Sequence, residues 1–329
     1  MAVLVTGATG FLGSHVALAL HRAGVPVVTM GRDAGRLSRL SALGLRVVHY
    51  ELGEGDGPVR AGGQIGPLTA VVHCAGLSSP WGRPADFVAA NVEATTQIAD
   101  LAERQGAARF IHVSTASVYF RFADQDRLTE DEVAPEPVND YARTKLAAER
   151  IVLDRPALNP IVIRPRGIYG AGDTALLPRL LRVARRGVLP RFDPMGATDI
   201  THVDDVVAAI MRALDTDVAG EVVNVSGGVA VPLTEVIEQA CAQSGIRPRW
   251  MRLPFAPTMA AVRGMEAVAR RLPGYPEPPV TAYGLGILRY RQSMDITKAE
   301  RLLGWTPQVS FDEGLARTFA GGAMRPGVV

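Results

Sequence analysis

Tyr141 and Lys145 are the residues of this sequence best suited, by type and spacing, to acid/base chemistry. They lie four positions apart in a stretch of helical pattern, so they would share one helix face. A phenol has an ordinary pKa of about 10 and exchanges a proton poorly near neutral pH, whereas a nearby cation lowers that pKa. The bland alternative is an amphipathic helix start. It is weakened because Lys298 is the only other lysine in the chain.

Hydroxyl side chains lie where the mostly apolar run 110–114 ends, in the segment from Ser114 to Tyr119. If that run is a strand, a hydroxyl at its exit would face the same crevice as Tyr141 and donate a hydrogen bond to a substrate oxygen. Taken alone, such residues are also typical of any strand that leads into a loop.

A glycine turn with Gly7, Gly10 and Gly13 separates the apolar run 3–5 from the helical stretch 14–20. Glycines permit close backbone approach, and the following helix directs unpaired N–H groups and its positive dipole end at the turn. This arrangement suits a pyrophosphate. The alternative is that the glycines serve only tight strand–helix packing.

Continuous apolar strands alternate with helical patterns, which predicts a parallel sheet covered on both faces. Ligands of such sheets bind beyond the carboxyl ends of the strands. A glycine-rich loop is expected at 53–66. Beyond the first strand we predict strands at 25–30, 46–50, 70–75, 110–114 and 161–164, and helices at 86–105 and 140–153.

Length and composition indicate a large α/β domain with a smaller one attached: the chain has 329 residues, 47% hydrophobic residues and a formal charge of +2. That charge gives no reason to expect nucleic acid or an anionic membrane as partner. Cys74 and Cys241 are expected to be free thiols. The histidines lack metal-ligand spacing, so no metal is predicted. The early first strand and the lack of a long apolar run predict a cytoplasmic protein without a membrane span.

The end of the second strand bears on the choice of cofactor. Gly31 stands where an acidic residue would bind the adenosine ribose, and Arg32 beside it can pair with a 2′-phosphate. The sequence therefore favours NADP(H). NAD(H) is the alternative, with Asp33 binding the ribose and Arg32 merely solvated.

Taken together and in order, these motifs resemble the extended short-chain dehydrogenases/reductases, the NAD-dependent epimerase/dehydratase superfamily, over nearly the whole chain. That resemblance implies a Rossmann-type doubly wound parallel sheet with a smaller, discontinuous C-terminal substrate domain. The motifs are Gly7-x-x-Gly10-x-x-Gly13, His73-Cys74-Ala75-Gly76, Asn91-Val92, Ser114 to Tyr119, Tyr141-x-x-x-Lys145, Arg164-Pro165-x-x-x-Tyr169-Gly170, His202-Val203-Asp204-Asp205 and Leu303-Gly304-Trp305-x-Pro307.

The resemblance also implies roles for individual residues. Thr115 falls on the catalytic Ser/Thr position, Tyr141 on the acid/base, and Lys145 on the residue that tunes the tyrosine and holds the nicotinamide ribose. Glu51-Leu52 depart from the usual pair against the adenine. The residues on positions that line the cofactor are Gly7, Gly10, Phe11, Leu12, Arg32, Ala75, Gly76, Leu77, Asn91, Tyr141, Lys145, Pro165 and Ile168.

Thr198 bears on the substrate. It stands where related nucleotide-sugar enzymes carry an arginine for a diphosphate, so that charge is missing unless Arg191 or a neighbour supplies it. The chain is more similar to bacterial 3β-hydroxysteroid dehydrogenase-like and 2-alkyl-3-ketoalkanoic acid reductase-like proteins, which act on apolar ketones or secondary alcohols. The shared features are Trp81-Gly82, Arg164-Pro165-Arg166, Gly172-Asp173, Leu177 to Leu180 and the proline-rich region 273–279.

We predict a dinucleotide-binding domain at 1–165, with returning pieces around 198–225 that include a strand at 222–225. A substrate domain is predicted mainly from 166–197 and 226–329. Helices are expected at 176–186, 233–244 and 257–271. The last carries an apolar stripe, which would be ordinary core or, as the lesser alternative, a lid over the substrate: Met259, Val262, Met265 and Val268.

The resulting hypothesis is an NADP(H)-dependent oxidoreductase that interconverts a ketone and a secondary alcohol on an apolar, steroid-like or β-keto/β-hydroxy acid-like small molecule. One alternative is a nucleotide-sugar epimerase or dehydratase. The other is a non-catalytic NADP(H)-binding regulator, against which the intact set of Thr115, Tyr141 and Lys145 argues. The resemblance implies association into a homodimer, although no stretch identifies an interface.

Overall fold

Seven parallel strands form the central sheet of the protein, in a computed structural model that describes residues 1–50 and 65–320. Their order is β12-β7-β5-β4-β1-β2-β3, which runs outward in both directions from β1 and β4. The predicted Rossmann-type doubly wound sheet is confirmed. The strands are β1 (Ala2–Thr6), β2 (Val27–Gly31), β3 (Arg46–His49), β4 (Leu68–His73), β5 (Arg109–Val113), β7 (Pro160–Pro165) and β12 (Glu221–Val225).

Helices cover both faces of the sheet. Leu20 and Ile210 pack in the apolar core on one face, and Ile98 and Leu101 in the core on the other. Strands buried on both sides explain the continuous apolar runs of the sequence. The flanking helices are α1 (Phe11–Arg22), α2 (Ala34–Ala42), α3 (Pro84–Phe87), α4 (Ala94–Arg104), α5 (Asp140–Leu153), α7 (Val203–Asp215) and α11 (Thr297–Leu303).

One expected helix, 86–105, is interrupted. A π-helical turn, Val88–Glu93, stands between α3 and α4. At this turn Asn91 is fully buried, and its side chain bonds to the backbone of Leu77. Such turns are common where a helical residue serves a site. The helix 140–153, by contrast, has the predicted limits.

The later chain builds smaller sheets beside the main one. The four-stranded sheet has the order β13-β10-β15-β6, and two pairs, β11-β8 and β14-β9, complete the set. These strands are β6 (Gln125–Leu128), β8 (Ile168–Tyr169), β9 (Leu189–Arg191), β10 (Ala197–Asp199), β11 (Thr201–His202), β13 (Ala230–Pro232), β14 (Trp250–Arg252) and β15 (Gln292–Met294). The remaining helices are α6 (Leu176–Arg186), α8 (Leu233–Gln243), α9 (Phe255–Ala269), α10 (Ala282–Arg289) and α12 (Phe311–Ala320).

The apolar stripe of α9 divides into two halves. Met259 and Val262 are buried against Phe192 and Leu285, whereas Met265 and Val268 are exposed. The buried half is core, as expected of most such stripes.

Further expectations concern the glycine-rich loop, the pair before it, the cysteines and membrane-spanning helices. The loop predicted at 53–66 lies almost wholly outside the described residues, as does the Glu51-Leu52 pair. Both cysteines are free thiols. In the ranges 1–50 and 65–320, no helix combines the length and the apolar character that crossing a membrane requires.

Candidate active site

The glycine turn after β1 packs too tightly for any side chain. Gly7 has φ +66°, and a Cβ there would lie 2.8 Å from the Ala75 nitrogen; a Cβ on Gly13 would lie 2.3 Å from the Gly7 oxygen. Helix α1 begins after Gly10 without a side-chain cap and with no acidic residue in its first turn. Its first N–H groups therefore suit an anion, and the turn fits the pyrophosphate of a dinucleotide.

The end of β2 excludes a side chain at Gly31, because a Cβ there would lie 2.6 Å from the Thr9 side chain. Asp33 is occupied as the N-cap of α2, where its carboxylate accepts from the Arg36 N–H at 2.9 Å, and this bond lowers its pKa. Arg36 in turn donates to the Thr9 carbonyl at 2.7 Å. Arg36 therefore lies near the glycine turn together with Arg32. Arg36 was not predicted as a cofactor-binding residue.

Residues predicted to line the cofactor lie along the carboxyl edge of the sheet. Ala75 to Leu77 follow β4, and Pro165 ends β7. Phe11 and Leu12 form the half-buried first turn of α1, while Ile168 pairs with Thr201 in the strand pair β8 and β11. Asn91 is fully buried and fixes Leu77, accepting from its N–H at 2.7 Å. Its place in cofactor binding stays a prediction.

Tyr141 lies in the first turn of α5, which Asn139 caps by accepting from the Ala142 N–H at 2.9 Å. Burial raises the pKa of the half-buried Tyr141 phenol above its usual range, and the nearby side chains of Ser78 and Thr115 act against the rise. In this state the phenol is a proton donor rather than a base.

Thr115 stands at the exit of β5, where its hydroxyl accepts from the Ser117 N–H and donates to Ser117 Oγ, both at 3.1 Å. Ser117 Oγ lies 2.8 Å from the Tyr283 hydroxyl on α10. Tyr283 is half-buried and also raises the pKa of Tyr141. The site therefore holds a chain of hydroxyl groups that ends on a tyrosine distant in sequence. Ser78, Ser117 and Tyr283 were not predicted.

Lys145 is buried one helical turn after Tyr141, with 4% of its surface exposed. Its Nζ lies 3.2 Å from His112 Nε2. Burial lowers the pKa of Lys145 to about 8, opposed by the negative charge of Glu149 and by Cys74. The predicted effect of Lys145 on the Tyr141 pKa stays a prediction, because the groups that act most strongly on that phenol are Ser78, Thr115 and Tyr283.

Two buried histidines stack on each other, and one of them contacts Lys145. His112 stacks on His73 with ring centroids 5.5 Å apart, and the two residues are register partners on β5 and β4. Burial, aided by the Lys145 charge, lowers the pKa of both, so they are neutral at pH 7. In the sequence, the feature that marks both histidines is their position near the ends of two neighbouring strands.

We expect Lys145→Met to stabilise the cofactor-free protein by about 1–3 kcal/mol near pH 7, because it removes a buried cation. The folded-state pKa lies below the unfolded value, so wild-type stability rises with pH between about 8 and 10.5 as this penalty disappears. The variant should lack that rise. Urea unfolding at about pH 7 and about pH 10 measures both effects.

The other lysine supplies the control. Lys298 forms a half-exposed ion pair with Glu221 at 2.8 Å, so Lys298→Met should change stability by at most about 1 kcal/mol. A Lys145→Met protein less stable than wild type near pH 7 would show that the Lys145 cation is well compensated.

A buried ion pair anchors α5 to the sheet. Arg164 on β7 bonds to both oxygens of Glu149, at 2.6 and 2.9 Å, and donates to the Tyr119 hydroxyl at 2.7 Å. Ser114 donates to the same carboxylate, and Tyr119 donates to Asn224 on β12 at 2.6 Å. The network joins the helix of Tyr141 and Lys145 to three strands of the sheet.

Thr198 contacts a second arginine at the carboxyl end of β7. Thr198 is buried on β10, and its hydroxyl accepts from Arg166 Nε at 2.9 Å. Nucleotide-sugar enzymes are expected to carry an arginine at position 198. In this chain the residue there is a threonine that binds an arginine from the end of β7.

A cavity of about 560 Å³ lies elsewhere in the later chain. Arg191, Phe192 and Arg252 are among the residues that line it, whereas Thr115, Tyr141 and Lys145 are not. Arg191 and Arg252 are register partners on β9 and β14. Asp193 also lines the cavity, whose wall therefore carries both signs of charge.

Comparisons with known proteins give a consistent result. Residues 3–226 match the model of the NAD dependent epimerase/dehydratase family. The 2-alkyl-3-oxoalkanoate reductase of Stenotrophomonas maltophilia is 30% identical over 345 residues, 98% of this chain and 100% of that protein. A farnesyl-dihydroquinoline-oxide ketoreductase of Stigmatella aurantiaca is 28% identical, covering 96% and 95%. MoeE5 in complex with UDP-glucose and NAD superimposes with a TM-score of 0.75 at 27% identity, covering 97% of each chain.

Proposed function

The chain belongs to the NAD-dependent epimerase/dehydratase family, and from that premise we propose that it is an NADP(H)-dependent oxidoreductase that interconverts an apolar ketone and its secondary alcohol. The observation that carries the proposal is the placement of Thr115 at the exit of β5 and of Tyr141 in the first turn of α5, one helical turn before the buried Lys145. Two relatives named as reductases of ketones support the substrate class.

In the reductive direction each residue has a defined task. Thr115 turns its O–H from Ser117 Oγ to the ketone oxygen while the Ser117 N–H still donates to Thr115 Oγ1, and Tyr141 transfers its phenolic proton to the ketone oxygen. The Lys145 cation, one turn further on, stabilises the phenolate that remains. The nicotinamide cofactor, when bound, supplies the hydride to the carbonyl carbon. Ser117 and Tyr283 hold the Thr115 hydroxyl in place.

In this proposal, different regions of the chain bind the dinucleotide and the substrate. The region 1–165, with pieces around 198–225, binds the dinucleotide, and 166–197 with 226–329 mainly holds the substrate. The return of β12 to the main sheet supports the first part. The position of Tyr283 against Ser117 supports the second.

Net oxidation of NADPH tests the function. We would supply 3-keto steroids, 2-alkyl-3-keto acids and small aromatic ketones to the wild-type protein. Consumption of NADPH with one class, together with formation of the corresponding alcohol, is the expected result. NADPH binding without consumption by any ketone would contradict the proposal.

A nucleotide-sugar epimerase is the second candidate. The structural similarity to a protein whose ligands are UDP-glucose and NAD favours it. An epimerase returns the hydride to its own substrate, so UDP-sugar conversion without net NADPH consumption would identify it.

Arg32 and Arg36 should determine the preference for NADPH over NADH. We expect the double variant Arg32→Ala/Arg36→Ala to lower the NADPH-to-NADH ratio of kcat/KM by about 10- to 100-fold, because two guanidinium groups that pair with a 2′-phosphate are removed. The occupied carboxylate of Asp33 supports this assignment. Arg39→Ala, an exposed position on the same helix, is the control. A ratio equal to that of wild type would refute the assignment.

A further inference from the structure

Arg166 is a buried cation that the proposed chemistry does not use. Only 7% of its surface is exposed, and its Nε donates to Thr198 at 2.9 Å. Within residues 1–50 and 65–320, its two terminal nitrogens make no hydrogen bond and no carboxylate forms an ion pair with it. Burying an arginine costs free energy unless a partner compensates the charge. An anionic ligand would be that partner.

The backbone of Arg166 is fixed in the ligand-binding crevice. The residue directly follows β7, its N–H donates to the Val225 carbonyl at 3.1 Å, and its own carbonyl accepts from the Thr201 hydroxyl at 2.6 Å. The carboxyl ends of the parallel strands form the edge where ligands bind in such sheets. The guanidinium is therefore held in place before any ligand arrives.

Arg166 lies near the candidate catalytic groups. Strands β5 and β7 are neighbours with Val113 opposite Ile163, and Thr115 follows β5 as Arg166 follows β7. The Thr115 hydroxyl lies 3.1 Å from Ser117 Oγ, which lies 2.8 Å from the Tyr283 hydroxyl. Thr115 and Arg166 therefore leave two neighbouring strands at the same edge of the sheet.

Asp199 is the acid that acts electrostatically on Arg166, but within residues 1–50 and 65–320 it forms no hydrogen bond or ion pair with the guanidinium. Its Oδ2 accepts from Ser226 at 3.0 Å and from the Met294 N–H at 2.7 Å. Burial raises the pKa of Asp199. The terminal nitrogens of Arg166 therefore remain available to a ligand.

We propose that Arg166, positioned by Thr198, binds a carboxylate close to the reacting carbon, so that the substrate is a 3-oxo acid or the matching 3-hydroxy acid. The planar guanidinium can meet a carboxylate with two parallel hydrogen bonds. The anion would lie close to the ketone, because Thr115 and Arg166 follow the ends of the neighbouring strands β5 and β7. In a nucleotide sugar, by contrast, the diphosphate is separated from the oxidised carbon by most of the sugar ring. This assignment rests on the proposed function.

The oxidative direction tests the assignment, with 3-hydroxyoctanoate and its methyl ester as probes and NADPH formation as the signal. Wild type should prefer the acid, and Arg166→Gln should lower the acid-to-ester ratio of kcat/KM by about 100-fold, as expected for a lost charge-assisted bidentate contact. Arg166→Lys should restore part of that ratio. Arg317→Gln, an exposed arginine on α12, is the matched control.

Binding measurements separate the two levels of the proposal. In the Tyr141→Phe background with NADP⁺ present, calorimetry would give the affinity of 3-hydroxyoctanoate, its methyl ester and UDP-glucose. Acid turnover with an unchanged acid-to-ester ratio in Arg166→Gln overturns the carboxylate assignment and leaves the oxidoreductase intact. Arg166-dependent acid binding without turnover overturns the oxidoreductase and leaves the carboxylate site. Arg166-dependent binding of UDP-glucose alone overturns the assignment in favour of a diphosphate.

Discussion

Tyr141→Phe is expected to lower kcat by about 10³-fold or more, near the upper range for loss of a positioned general acid. The change removes one oxygen, so the ring still fills its place in α5. Binding of NADPH should persist because the glycine turn, Arg32 and Arg36 are untouched. Stopped-flow measurement of hydride transfer with saturating ketone and NADPH gives the rate directly.

The control is another tyrosine. Tyr290 packs its ring against Phe122 and Phe255, and Tyr290→Phe should retain activity within about twofold. A Tyr141→Phe enzyme within about tenfold of wild type would assign the proton transfer to another group.

The pH dependence adds a second readout for the same residue. The raised pKa of Tyr141 keeps the phenol protonated through neutral pH, so ketone reduction needs no prior protonation. Reduction should decline above about pH 8 as Lys145 loses the proton that stabilises the phenolate. Oxidation requires the phenolate, so the raised pKa of Tyr141 should move the rise of oxidation with pH above that expected for an ordinary phenol. A bound cofactor that raises the Lys145 pKa would move the decline of reduction to higher pH.

Arg164→Met is expected to destabilise the protein by about 3–5 kcal/mol, because it leaves the Glu149 carboxylate buried without its cation. Both side chains of this pair are nearly inaccessible, at 4% and 2% exposure. The Tyr119 hydroxyl loses a donor as well. Urea unfolding followed by circular dichroism measures the loss.

Arg143→Met is the matched comparison, because Arg143 pairs with Asp140 at 2.7 Å on the same helix but in an exposed position. Its effect should stay below about 1 kcal/mol. The double variant Arg164→Met/Glu149→Leu should recover part of the loss, since no unpaired charge remains. A loss under about 1 kcal/mol for Arg164→Met alone would show that the protein accommodates the buried Glu149 side chain without its arginine partner.

The sheet was predictable from the sequence because its strands are buried on both faces and leave continuous apolar runs. Helix α5 was predictable for a different reason, since Asn139 marks its start and its pattern is regular. The π-helical turn at 88–93 was not predictable, and it contains Asn91, which bonds to Leu77 14 positions earlier in the sequence. Local pattern cannot reveal such a contact.

The same limit of prediction from local sequence pattern applies to the candidate site. The tyrosine and the lysine have a spacing that can be read along one helix, whereas Tyr283 meets Ser117 across 166 positions. Arg166 looked like part of a motif, and only the fold shows that Thr198 holds it and that no acid of the described ranges, 1–50 and 65–320, pairs with it. Residue spacing predicts partners within an element, and the packing of separate elements determines the rest.

The late return of β12 to the main sheet has a consequence for synthesis on the ribosome. Strand β7 ends at Pro165, and its outer neighbour is complete only at Val225, 60 residues later. At roughly 5–20 residues per second, the nascent chain carries an open apolar edge for about 3–12 s. Such an edge is a template for wrong pairing with other chains. The speed of translation between these two points, together with chaperone access, therefore bears directly on how much protein reaches the native state.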